Sequence, residues 1–145
     1  MSTPVSDKPW YLAGPMTGIP QFNFPAFDAV ASSLRKDGIE VKSPAEMDDP
    51  ETRKMALASP DGAPGTGSAH GETWGDFLSR DVKLVADGVK GVLVMDGWEK
   101  SRGARLETFV AYLTGKPIRW AVDLSPVSMT LLADAWVGIT KDAEE

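Results

Sequence analysis

Gly91-Val92-Leu93-Val94-Met95 runs through Asp96-Gly97-Trp98 into Ser101-Arg102-Gly103-Ala104-Arg105-Leu106-Glu107. A short, uninterrupted apolar run ending in a turn is the pattern of a strand covered on both faces, as in the centre of a parallel sheet. Ser101 stands where a helix cap is expected, because its hydroxyl can accept from a free backbone N–H of the first turn. The helix it opens carries Leu106, Phe109, Val110 and Leu113 on one face and stops at Gly115, ahead of Lys116-Pro117. Ile118 to Val122 reads as the next strand. Strand, helix and strand in this order form a right-handed crossover unit.

The same alternation extends outward in both directions. Pro9-Trp10-Tyr11-Leu12-Ala13 is a buried strand that ends at Gly14-Pro15. Asn23 is placed as the N-cap of a helix bearing Phe24, Phe27, Val30, Ala31 and Leu34, closed by Gly38. Ile39 to Ser43 alternates with period two and stops at Pro44, the second strand. Trp74, Phe77, Leu78, Val82 and Val85 recur at helical spacing before Asp87-Gly88, and a last helix covers roughly Val127 to Val137. The expected fold is a doubly wound, mainly parallel, flavodoxin-like α/β sheet with helices on both faces. Its ligand site then lies at the C-terminal ends of the strands, where Tyr11, Gly14, Ser43, Asp96 and the start of the Ser101 helix converge.

With 145 residues, the chain is the size of one domain. The expected organisation is a disordered N-terminus over 1–8, a single domain over 9–140 with a flexible insertion at about 48–72, and an acidic tail over 141–145. Within the insertion, Ser59 to Glu72 holds no large apolar side chain but four glycines and two prolines. It has nothing with which to bury itself, and reads either as a solvated insertion or as an active-site lid.

Zero cysteines exclude disulfides, a thiol nucleophile and thiolate metal sites, and the single histidine, His70, excludes a multi-histidine centre. A net charge of −6 opposes polymeric nucleic acid as a ligand, since that binding needs a basic face. No window resembles a membrane span and the first residues lack a targeting pattern, so a soluble cytoplasmic protein is expected.

Glu107 sits on the border of its helix's apolar stripe, with Gly103, Ala104, Val110 and Ala111 as its helical neighbours. None is a cation. It is either a partly exposed surface glutamate or a carboxyl facing a ligand, with a pKa raised by desolvation. Ser101, Arg102 and Gly103 offer a helix N-terminus, a hydroxyl, a guanidinium and room for close approach. The pattern fits either an anion site or a plain capped helix with solvated arginines. Asp81, beside Arg80 and Lys83, reads as a solvated face or as a ligand contact from the opposite wall. Gly14 fits a tight turn or a backbone approach to a ligand. Trp98 is either core packing or a platform for stacking on a base.

Taken together, Trp10-Tyr11-Leu12-Ala13-Gly14-Pro15, Arg80-Asp81 and Ser101-Arg102-Gly103-Ala104-Arg105-Leu106-Glu107 resemble the nucleoside 2-deoxyribosyltransferase superfamily. The likeness is to its small, often phage-encoded branch of unknown function, and also to deoxynucleoside 5′-monophosphate N-hydrolases. It spans roughly residues 9 to 122. The resemblance implies that Glu107 is a nucleophile at the anomeric carbon, that Tyr11 orients it, and that Asp81 meets the base or sugar. It also implies that Ser101, with Arg102 and Gly103, binds a 5′-phosphate. The implied protein is an N-glycosidase or deoxyribosyltransferase, without cofactor or metal, acting as a homodimer or higher homo-oligomer, in the host cytoplasm if phage-encoded. The alternative is a non-catalytic binder of nucleotides or nucleotide-derived signals.

Overall fold

The computed structural model describes residues 7–64 and 66–144, with side chains as far as Ile139. Four strands, β1 (Trp10–Ala13), β2 (Val41–Lys42), β3 (Gly91–Val94) and β4 (Ile118–Trp120), form one all-parallel sheet in the order β2-β1-β3-β4. Five helices accompany it: α1 (Phe24–Lys36), α2 (Pro50–Ala58), α3 (Trp74–Asp87), α4 (Arg102–Leu113) and α5 (Met129–Glu144). Because side chains alternate along a strand, each central strand feeds two cores. Leu12 and Leu93 pack with Phe24, Phe27, Ala31 and Leu34 of α1 and Ala56 of α2. Tyr11, Ala13, Val92 and Val94 pack with Val85 of α3, Ala104 and Ala111 of α4, and Leu132 and Ala135 of α5. The mainly parallel α/β fold with helices on both faces is therefore as expected, and β1 and β3 lie side by side at the point where strand order reverses.

Several elements differ from the sequence expectation. The span 48–72, expected as an irregular insertion, contains α2, whose N-terminus is capped by Asp49 accepting from the Thr52 N–H at 2.9 Å. The stretch after α2 is tied by polar contacts instead of apolar burial. Ser59 is buried, its carbonyl accepts from Gln21 N–H and its hydroxyl from Gly62 N–H, while Gly62 O accepts from Gly18 N–H. Asn23 precedes α1 but does not cap it; its φ is +61° and its side chain donates to Pro15 O. Gln21, Phe22 and Asn23 are all left-handed, an arrangement that costs about 1–2 kcal/mol per residue without compensation. Gln21 is held there by bonds to Ser59 O and Leu57 O.

Helix α4 is rotated from the expected face. Ala104, Thr108 and Ala111 point inward while Leu113 is 65% exposed. Small residues let α4 approach its neighbours closely, and Thr108 Oγ1 accepts from Trp136 Nε1 of α5 at 3.0 Å. Both outer strands are shorter than expected: β2 keeps two residues, and β4 ends at Trp120 with Val122 left exposed. The expected acidic tail continues α5 as far as Glu144, and Glu145 lies outside the described residues. Of the N-terminus expected to be disordered, residues 1–6 lie outside the described residues, and Lys8 Nζ donates to Asp87 O.

Candidate active site

Three elements bring polar groups together beneath the C-terminal end of the sheet. On β1, Tyr11 points to the α3–α4 side and is fully buried; its hydroxyl donates to Glu107 Oε2 of α4 at 2.6 Å. Glu107 is 6% exposed and Asp81 of α3 is 7% exposed. Asp81 accepts from its neighbour Arg80 Nε at 2.9 Å, and the same guanidinium donates through Nη1 to Asp48 Oδ1 at 2.6 Å. Three buried carboxyls thus share one cation and one phenol.

The electrostatic consequence comes from burial. Water's loss raises the Glu107 pKa to about 8, Asp81 nearby adds to the rise, and the Tyr11 hydroxyl and Arg80 oppose it. Asp81 and Asp48 are also raised by burial, against the pull of Arg80. Tyr11 is pushed well above the ordinary phenol value, first by burial and then by Glu107, so it stays a proton donor. At neutral pH Glu107, which would be ionised in water, therefore holds its proton for most of the time.

Beside it lies a cavity of about 200 Å³, lined among others by Asp48, Thr52, Glu72, Phe77 and Arg80. Arg80 is both a wall of this cavity and the link to Asp81; Tyr11 and Glu107 are not among the lining residues.

The helix α4 begins as the sequence implies. Ser101 caps it by accepting from Ala104 N–H at 3.2 Å. A Cβ added to Gly103 would make ordinary contact with Leu78 Cδ1 at 3.9 Å and Ser101 Oγ at 4.0 Å. Arg102 is exposed and lies over the Trp74 ring, 5.8 Å from its centroid. Arg105, by contrast, is buried: its Nε meets Ser101 O and its guanidinium packs against Gly138 of α5.

One candidate is corrected in role. Trp98 is 0% exposed and packed with Tyr11 and Ala104, which removes it as a surface for base stacking; among the described residues its indole N–H has no hydrogen-bond partner. Gly14 is tightly packed, and a Cβ there would lie 3.1 Å from Met95 Cβ and Sδ and 3.3 Å from Phe27 Cζ. Asp81, for which a solvated face was the simpler expectation, is buried. Asp48 was missed altogether, and Arg80 was given no role of its own in the site. Elsewhere, exposed Asp49, Glu51 and His70 bring ligand atoms within 4.8 Å of one another, a grouping that exposed acids often form without a metal.

A parallel sheet with a buried tyrosine–carboxyl cluster at its reversal point defines a mainly parallel α/β protein with a buried polar site. The chain belongs to the family described as Domain of unknown function (DUF4406), whose match covers residues 8–120. That span includes Tyr11, Asp48, Arg80, Asp81, Ser101 and Glu107, and leaves α5 outside. No curated protein and no solved structure matches the chain. Among the described residues, no helix is long and apolar enough to cross a membrane.

Proposed function

We propose that this chain cleaves the N-glycosidic bond of a nucleoside 5′-monophosphate or nucleoside, passing the sugar to water or to another base. The single observation that carries the reading is the 2.6 Å bond from the buried Tyr11 hydroxyl to Glu107, with Asp81 beside the pair. A carboxylate held in one orientation and stripped of water is suited to capture an oxocarbenium-like centre. The likeness to nucleoside 2-deoxyribosyltransferases and deoxynucleoside 5′-monophosphate N-hydrolases points the same way.

In the first step a Glu107 oxygen bonds to C1′ as the C1′–N bond breaks. The electron pair leaves with the base, which takes a proton from Asp81, a carboxyl whose proton affinity burial raises. In the second step water or an acceptor base attacks C1′, its proton passes to Asp81, and Glu107 departs as carboxylate. Ser101, with Arg102 and Gly103, receives the 5′-phosphate at the α4 N-terminus, where backbone N–H groups and the helix dipole favour an anion. The reaction takes place in the cytoplasm, the host's if the gene is carried by a phage.

A second reading, a non-catalytic nucleotide binder, draws on one observation: Glu107 is almost fully buried and, with a pKa of about 8, mostly protonated near neutrality. Incubation with a panel of ribo- and deoxyribonucleosides and their 5′-monophosphates, with and without acceptor base, separates the two. The glycosidase releases or exchanges base and Glu107→Gln does not. Thermal stabilisation by a nucleotide with no base release from wild type would establish the binder instead.

A further inference from the structure

We propose that Trp136 is a positioning residue: from α5, which lies outside the matched family span, it fixes the rotation of α4 and so aims Glu107 at Tyr11. This rests on the reading of Glu107 as the nucleophile. Ala104, Glu107, Thr108 and Ala111 stand at i, i+3, i+4 and i+7 and form a buried stripe along α4. A helix is ordinarily held against rolling by large side chains wedged into its neighbours' grooves. Two of these four positions are alanine, so the stripe has little to wedge. Its hydrogen bonds to other elements come from adjacent residues: Glu107 accepts from Tyr11 of β1 at 2.6 Å, and Thr108 accepts from Trp136 Nε1 of α5 at 3.0 Å.

The second bond is well seated. The Thr108 hydroxyl also meets Ala104 O at 3.0 Å and Arg105 O at 2.9 Å in the preceding turn, which orients its free lone pair. Trp136 packs against Phe109 and Tyr112 of the same helix, with ring centroids 5.2 Å from each. On the other side of Glu107, the buried Arg105 guanidinium packs against Gly138, so α5 holds α4 both before and after the carboxyl. Rolling α4 breaks the indole bond and disturbs both ring contacts. Small rolls matter, because a side-chain tip lies about 5–6 Å from a helix axis and a 10° turn, roughly, carries it about 1 Å. That displacement spoils a 2.6 Å bond, and about 1 Å of misplacement at a reacting group costs up to ~10²-fold in rate.

Trp136→Phe keeps an aromatic ring and loses the N–H, while Thr108→Val keeps the shape and loses the acceptor; one carries the test if the other misfolds. Leu132→Ala loosens the core packing of α5 without removing either partner of the bond. The full chain and these variants are compared by ¹³C NMR titration of Glu107, by base release and by Tm. The groups facing Glu107 are Tyr11 of β1 and Asp81 and Arg80 of α3, and no substitution alters them. The Tyr11 bond holds the Glu107 midpoint down, so lost aim raises it, by about half to one pH unit in Trp136→Phe and in Thr108→Val. In both, kcat falls ~10-fold with KM little changed. The double variant goes no further than either single one, because all three lack the same bond. Leu132→Ala lowers Tm and leaves the midpoint in place. A midpoint that does not rise in either variant, one that Leu132→Ala shifts as far, or base release with unchanged kcat overturns the proposal and leaves Trp136 as packing. A wild type that releases no base refutes the glycosidase reading instead, and the titration still decides the role of Trp136.

Discussion

Replacing Tyr11 with Phe removes one hydroxyl and tests how the site sets its own proton affinity. Tyr11 donates to Glu107 Oε2 at 2.6 Å, and this bond favours the carboxylate over the acid. A hydrogen bond to a charged group contributes about 1.5–3 kcal/mol, and about 1.4 kcal/mol corresponds to one pH unit. Without it the Glu107 midpoint, about 8 in the intact chain, moves up by roughly one to two pH units. Near pH 7 the ionised fraction falls from about one-tenth to between about one-hundredth and one-thousandth. Base release by Tyr11→Phe should therefore drop ~10–100-fold near pH 7, with most of the loss recovered at high pH. The assay is the pH profile of kcat/KM for both proteins, paired with ¹³C NMR titration of the glutamate carboxyls, Glu107 being assigned by its absence in Glu107→Gln. An unchanged Glu107 midpoint in Tyr11→Phe would refute the reasoning, whatever the rate.

Stability should respond to the same group. Because burial raises the folded pKa of Glu107 above its ordinary value, the stability its neutral form brings is complete below about pH 4.5 and is lost as pH rises through about 8. Glu107→Gln cannot ionise, so its Tm should fall by several degrees less than that of wild type between about pH 6 and 9, at about 2–4 °C per kcal/mol for a chain of this size. Ser101→Ala loses a helix cap, about 1 kcal/mol by denaturant titration, and should raise KM for a monophosphate while leaving that for the nucleoside unchanged. Gly62→Ala places a Cβ 2.1 Å from Ile19 O at a φ of +65°, and should cost about 2 kcal/mol or more, seen as a lowered Tm.

The sheet was legible because its signals are local. Leu12 and Leu93 on one side, and Tyr11, Val92 and Val94 on the other, are contiguous in sequence, and a strand buried on both faces has no other way to look. The cap at Ser101 and the glycine at Gly115, with φ +73°, were equally readable. Helix α2 was not, although Asp49-Pro50-Glu51 carries a start signal; only Thr52 and Ala56 are buried along it, too few to make an apolar stripe. The direction of α4 depends on what waits across the core. Nothing in Ala104, Thr108 and Ala111 announces an inner face until Tyr11 and Trp136 are placed opposite them. Asp48, Arg80 and Asp81 look like surface charges in sequence, because a buried ion pair and a solvated one use the same residues. Trp98 failed as a ligand platform for a similar reason: its place beside a strand end says nothing about whether a helix covers it.

Tyr11 and Glu107 stand 96 residues apart in the chain, and Asp48 and Arg80 another 32. Loops of that length are closed only after sheet and helices have docked, so these contacts can form only late in folding. A nascent or nicked chain that lacks α4 leaves the Tyr11 hydroxyl without its glutamate, however native the rest of β1 has become. The site therefore assembles only when the whole chain does, and half-made copies carry none of its chemistry.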